Sequence, residues 1–268
     1  MRFVKAHAYG NDFLYVEQRA VPGVPGALLG PLARELCAHH TGIGADGFIL
    51  YARTDEGASM SLFNADGSRA EVSGNGVRGL AALLLRDDGR SGVEITIQTD
   101  AGPKRLTRTG QSASRQTFRA AMGLPRDLRQ VRVTAGGESI SLVVMDFGNP
   151  QCVLLGALPA PERFGRLGAA LEHHDMFSEG TNVEFVEVEA GGQIRILIWE
   201  RGVGPTQSSG TGSCAALVAV AAFGGAPRSA DVVAPGGPQR VEWRDDSVYL
   251  TGWAEIVCDG DWLGTPPH

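Results

Sequence analysis

An internal repeat constrains this chain more than any other feature. Near residue 64 it reads FNADGSRAEVSGNGVRGLAALLL, and near residue 200 it reads IWERGVGPTQSSGTGSCAALVAV. Each copy passes from an apolar strand through a polar, glycine-containing turn to a Ser-Gly-x-Gly tetrad and then an Ala/Leu-rich helix. Ser73 and Ser209 stand 136 residues apart, about half of the 268-residue chain. Two similar halves are the simplest origin of such spacing. The lobe boundary is expected near residues 115–130, where TFRAAMGLPRDLRQ interrupts the strand pattern. This assigns 1–120 to an N-terminal lobe and 121–268 to a C-terminal lobe, with the extreme C-terminal segment free to pair with the first.

Strand signals dominate both halves. SMSLFNADG, VEITIQT, SLVVMDFG, TNVEFVEV, IRILIWERG, QRVEWR and SVYLTGWAEIV carry β-branched or aromatic residues and are bounded by Gly, Asp or Asn. Helical patterns are fewer: Leu28 to His40, Val77 to Arg86, Phe164 to His173 and Cys214 to Phe223. The expected class is therefore α+β with strands in the majority. The 37 glycines are well above the average share of about 7%. They call for many turns, or for backbone that approaches a ligand closely.

Each tetrad has a physical meaning. A serine at a helix N-cap accepts a hydrogen bond from a first-turn amide. The glycines remove β-carbons from the approach, and the remaining amides with the helix dipole make an anion site. One such tetrad is satisfied by an ordinary capped helix. Two in symmetric positions point to a pair of N-termini that clamp a small carboxylate between lobes.

Charge and targeting signals narrow the partners. The net charge of −6, without basic runs or interleaved aromatics, argues against nucleic acid. MRFVKAHAYGNDF has no apolar stretch of signal-peptide length, and no segment approaches the roughly 20 apolar residues of a membrane helix. Cys37, Cys152, Cys214 and Cys258 lack CxxC spacing and read as buried free thiols rather than disulfides or metal ligands. A cytoplasmic protein with no metal and a small amino-acid or carboxylate ligand is expected, and unpaired sheet edges are compatible with a homodimer.

The motifs resemble the signature of the diaminopimelate epimerase family over nearly the whole chain. Lys5-Ala6-His7 with Gly10-Asn11-Asp12-Phe13 comes first, then Gly42-Ile43-Gly44-Ala45-Asp46-Gly47, Phe63-Asn64-Ala65-Asp66-Gly67-Ser68 and Gly74-Asn75-Gly76-Val77-Arg78. Gly148-Asn149-Pro150, Thr181-Asn182-Val183-Glu184-Phe185, Glu200-Arg201-Gly202, Gly210-Thr211-Gly212 and Pro235-Gly236-Gly237 follow in family order. The resemblance implies two pseudosymmetric lobes, each a curled, mainly antiparallel sheet around a central helix, with the substrate at their interface and no cofactor. It implies that one cysteine removes an α-proton and a second returns one on the opposite face, a task suited to thiols beside helix N-termini. It also implies substrate contacts from Asn11, Asn64, Gly74, Asn75, Asn149, Asn182, Glu200, Arg201, Gly210 and Thr211. The residue types suit that role, since Asn amides both donate and accept and Arg201 can hold a carboxylate bidentately.

Four positions depart from the family. Ser73 and Ser209 occupy the places of the two catalytic cysteines, Gln151 replaces the His after Gly-Asn-Pro, and Pro205 replaces a Glu. A serine hydroxyl is a poor base near neutral pH unless another group activates it. His7, best placed beside the Asn11 motif, and His39, His40, His173, His174 and His268 are candidate partners. Asp12, Asp66 and Glu71 are carboxylates near binding motifs. Cys214 is expected to point away from the anion site, and strand alternation turns Cys152 to the other face. Three readings follow: an isomerase that uses non-thiol groups, a non-catalytic amino-acid-binding homologue, and a diaminopimelate epimerase with both cysteines replaced by serine.

Overall fold

The computed structural model describes residues 1–264. In chain order the elements are β1 (Arg2–Ala8), β2 (Asn11–Glu17), α1 (Leu29–Cys37), β3 (Gly47–Thr54), β4 (Gly57–Asn64), β5 (Arg69–Ala70), α2 (Gly74–Leu84), β6 (Glu94–Thr99), β7 (Gly102–Ser112) and β8 (Arg115–Ala121). They continue with β9 (Arg126–Ala135), β10 (Glu138–Asp146), β11 (Pro150–Leu155), α3 (Pro161–Glu172), β12 (Asn182–Val188), β13 (Ile194–Glu200), β14 (Gly204–Thr206), α4 (Gly210–Phe223), β15 (Ser229–Ala234), β16 (Gly237–Trp243) and β17 (Val248–Asp261). They form two compact units, Met1–Ala120 with the segment from Gly252 onward, and Ala121–Thr251.

In the first unit the strands β1-β2-β3-β4-β6-β7-β8-β17 pair in sequence, and β17 pairs back onto β1. The sheet thereby closes into a barrel of eight strands. Strand alternation sorts its side chains by face. Leu14, Val16, Phe48 and Phe63 meet Leu32, Ala33, Leu36 and Cys37 of α1 on one side. Phe13, Tyr15 and Ile49 turn to the side that holds α2, which is buried from Asn75 through Leu83. The far end of α2 needs acceptors satisfied away from water. Arg108 Nη1 donates to Leu85 O at 2.9 Å and Gln116 Nε2 to Ala82 O at 2.8 Å.

The second unit repeats this plan. α4 is apolar around its whole circumference and is buried from Gly210 to Val220, apart from the half-buried Thr211, as a helix wrapped by sheet must be. It packs on Val143, Val153, Ile196, Ile198, Val232 and Val241. α3 lies on the opposite face, where Leu167 and Leu171 meet Val144, Cys152, Leu154, Val183 and Phe185. The pairings correspond one for one. Parallel β2/β3 and β4/β6 recur as β11/β12 and β13/β15. Antiparallel β3/β4, β4/β5 and β6/β7 recur as β12/β13, β13/β14 and β15/β16. The expected pseudosymmetric α+β architecture is present.

Several element boundaries differ from the sequence expectation. α2 begins at Gly74 rather than Val77, and α4 at Gly210 rather than Cys214. The glycines read as turn, but a capping serine supports them as the first helical turn. Strands β1, β2, β3, β7, β9, β11 and β15 carried no clear signal. The stretch 115–130 is also mostly strand, with only residues 122–125 between β8 and β9. Its arginines obscure the alternation.

Candidate functional site

In each unit the serine caps its helix. Ser73 is extended (φ −129°, ψ 123°), and its Oγ accepts from the Gly76 amide at 3.2 Å. Ser209 (φ −135°, ψ 129°) accepts from the Gly212 amide at 3.0 Å. Ser73 O and Ser209 O accept the first helical bonds, from Val77 N and Ser213 N. No helical carbonyl can reach the amides of Gly74 and Asn75, or those of Gly210 and Thr211. Those two pairs of donors, with the positive end of the dipole, suit a carboxylate.

Around α2, Asn11 begins β2 on the α2 face, and its Oδ1 is buried without a hydrogen-bond partner. Such an orphaned acceptor calls for an explanation, and a ligand ammonium is one. Asn64 Nδ2 donates to Ser68 Oγ at 3.0 Å. Asn75 is buried, and its Oδ1 accepts from Arg78, which lies over the Tyr9 ring at 5.8 Å. Its side chain is therefore engaged in the helix. Tyr15 Oη donates to Gly76 O at 2.9 Å. Asp12 and Asp46 exchange amide-to-carboxylate bonds of 2.9 and 3.0 Å, and Lys5 Nζ sits 2.7 Å from Asp12. Burial, the largest influence, pushes the Asp46 carboxyl up. This cluster pins the loops that flank Asn11.

Around α4 the polar groups are denser. The register sets Gln151, Asn182 and Glu200 in one row across β11, β12 and β13, on the face that meets α4. Gln151 is fully buried; its Nε2 donates to Asn149 Oδ1 at 2.7 Å and Thr211 Oγ1 at 3.3 Å, and its Oε1 has no partner. Asn149 Nδ2 reaches Thr211 Oγ1 at 3.5 Å, and Thr211 Oγ1 lies 3.4 Å from Ser209 Oγ. Ser209, Thr211, Asn149 and Gln151 thus form one connected network. Asn182 Oδ1 accepts from the Arg201 amide at 3.0 Å. Arg201 itself is exposed, and its Nη1 donates to Glu179 O at 3.2 Å. Glu172 fixes the same turn by accepting from Trp199 Nε1 and Gly202 N, both at 2.7 Å. Sequence reasoning did not single out Glu172.

The remaining candidates fall elsewhere. His7 Nδ1 accepts from Gly10 N at 3.3 Å and its ring packs edge-on against Trp253, a structural role in the β1/β2 turn. His39, His40 and His173 are exposed; His174 Nδ1 accepts from Met176 N. His268 lies outside the described residues. Asp66 is exposed and accepts from Ser68 N within its turn; the Ser68 hydroxyl first, and then that amide, lower its pKa. Glu71 is exposed. Cys152 and Cys214 are fully buried in hydrophobic cores. Among the described residues, no group of three or more His, Cys, Asp or Glu side chains is placed to hold a metal. No described helix is long and apolar enough to cross a membrane.

Comparison with known proteins gives a consistent picture. The family model described as diaminopimelate epimerase matches residues 3–126 and 143–257. The chain is 38% identical to a diaminopimelate epimerase of Desulforudis audaxviator (strain MP104C), over 98% of this chain and 99% of that protein. Among solved structures, a probable proline racemase from Agrobacterium radiobacter K84 superposes with a TM-score of 0.77 at 18% identity, covering 99% of this chain and 93% of that one. A hydroxyproline epimerase from Agrobacterium vitis gives 0.72 at 17% identity, covering 97% and 91%. The two structural likenesses establish the fold.

Proposed function

Because the chain belongs to the diaminopimelate epimerase family, we propose that it is a cofactor-independent, cytoplasmic isomerase. In this reading it acts on a small amino or carboxylic acid without the family's two-thiol proton transfer. Family membership makes the activity class an isomerase of epimerase type; the substrate and the groups that move the proton belong to the proposal. One observation carries it: two helix N-termini of the same build, each capped by a serine and each with two first-turn amides that no helical carbonyl reaches. Those amides would hold the substrate carboxylate and stabilise charge as a carbanion develops. Asn11, with its orphaned acceptor, would take the ammonium. Asn64 would line the Ser73 half-site, and Asn149, Asn182, Glu200, Arg201 and Thr211 the Ser209 half-site. Each half-site would contribute one of the two proton-transfer groups, at Ser73 and at Ser209.

The test is exchange of the α-proton with solvent deuterium, followed for a panel of amino acids that includes meso-diaminopimelate. Exchange on a panel member supports the proposal. Calorimetric binding without exchange would replace it with a non-catalytic amino-acid-binding role. The S73C/S209C double variant separates a diverged pocket from a family pocket that lacks only its thiols. A gain of diaminopimelate epimerase activity in that variant would mark the serines as the sole block.

A further inference from the structure

Glu184 is the least expected group in the molecule. Its side chain is fully buried on β12, and neither carboxyl oxygen has a hydrogen-bond partner. It shares the α4 face with Asn182, two residues earlier on the strand. The point that a β-carbon on Gly212 would occupy lies 2.7 Å from Glu184 Oε1 and 3.1 Å from Ser209 Oγ. The missing side chain of Gly212 therefore leaves one gap with the Glu184 carboxyl on one side and the capping serine on the other, beyond hydrogen-bond distance of each other. Burial, and then repulsion from Glu200, push the Glu184 carboxyl well above the usual carboxylate range.

The other half of the molecule supplies an internal control. Ile49 pairs with Tyr15 and Leu62 as Glu184 pairs with Val153 and Ile198, so Ile49 occupies the position of Glu184. The local geometry agrees. A β-carbon on Gly76 would lie 2.8 Å from Ile49 Cδ1 and 3.7 Å from Ser73 Oγ. An apolar side chain thus satisfies this position in the scaffold, and the carboxyl behind Ser209 is not needed to build the fold.

We propose that Glu184 is a positioning and proton-supplying residue behind Ser209: its carboxyl exchanges a proton with the Ser209 hydroxyl, which the Ser73 half-site cannot match. The inference rests on the epimerase-type reading above. As the Cα–H bond forms, the substrate carbanion takes the Ser209 Oγ proton. Ser209 Oγ takes the carboxyl proton of Glu184, which first turns into hydrogen-bond reach of it, and Glu184 is left as the carboxylate. The reverse order moves a proton from substrate to Glu184. A carboxylate in this buried place is disfavoured, so the group recovers its proton readily.

The experiment compares wild type, E184Q and E184I by two readouts. The first is the infrared carbonyl band of a protonated carboxylic acid at neutral pH. The band is expected in wild type, absent in E184Q, shifted in S209A and unchanged in S73A. Its absence from wild type, or its indifference to S209A, overturns the proposal. The second is deuterium uptake by the LL and meso isomers of diaminopimelate. E184Q and E184I are expected to lose exchange by tenfold or more from one stereochemical face and to keep it at the other. Exchange unchanged in both variants overturns the proposal while the epimerase reading stands. Absence of exchange in wild type with either isomer and with every other acid of the panel overturns both together.

Discussion

At the scale of single residues, the two capped N-termini differ in what lies beneath them. Glu184 raises a linkage argument whose sign is definite. Its pKa is higher in the folded chain than in the unfolded one, so the native state binds the extra proton. Stability therefore falls as pH rises from about 4, the unfolded carboxyl value, toward the folded value. E184I removes the buried polar group and is expected to stabilise the protein by about 1–3 kcal/mol near pH 8. The gain should shrink toward pH 4, and urea midpoints at both pH values would check it. A constant gain would show that the carboxyl does not titrate differently on folding. Gly79 makes the opposite case. A β-carbon there would fall 2.1 Å from Tyr15 Oη, which already bonds to Gly76 O. G79A should cost about 1–3 kcal/mol by overpacking, read as a lowered thermal midpoint.

At the scale of elements, α2 and α4 are buried helices whose ends must be satisfied from outside the helix. S73A and S209A each remove one N-cap acceptor and should cost about 1 kcal/mol. Chemical denaturation would measure this, and a cost near zero would mean that another acceptor replaces the hydroxyl. The opposite end of α2 depends on Arg108, which is almost fully buried and donates to Leu85 O. R108M leaves Leu85 O with the Asp88 amide alone and strips Gln116 Oε1 of its buried donor, and should cost about 1–3 kcal/mol. An unchanged stability would move the capping role to Gln116 alone. The tetrads were readable in the sequence because capping is local: serine, then glycines, then an apolar run. The apolar pattern starts α2 and α4 three or four residues late, because glycine in a first turn looks the same as glycine in a loop.

At the scale of the whole molecule, the first unit is discontinuous. β17 supplies residues 252–261 to the ring, between β1 and β8. A chain ending at Thr251 would leave both of those strands with open edges and would lose the N-terminal ring. Fragment 1–251 is therefore expected to aggregate, while 121–251 keeps its core around α4 and unfolds cooperatively. Circular dichroism melts of the two fragments decide the point. A soluble, cooperatively folded N-terminal unit in 1–251 would show that ring closure is dispensable.

The sequence by itself determined the duplicated plan, the two capping serines and the α+β class. Those properties are local or periodic, so spacing and residue type suffice. Tertiary structure decided which of the polar side chains are already committed. Asn75 is held by Arg78 and Asn182 by the Arg201 amide, whereas Asn11 Oδ1 and Gln151 Oε1 are left over. It also decided that Glu184 lies behind Ser209 where Ile49 lies behind Ser73. A charged residue in the apolar run NVEFV was the only trace of this in the sequence. The face it takes depends on the register of β11, β12 and β13, and the parallel β11/β12 pair is joined only through α3. Pairings between segments so far apart come from packing around a shared helix, and no local propensity encodes them.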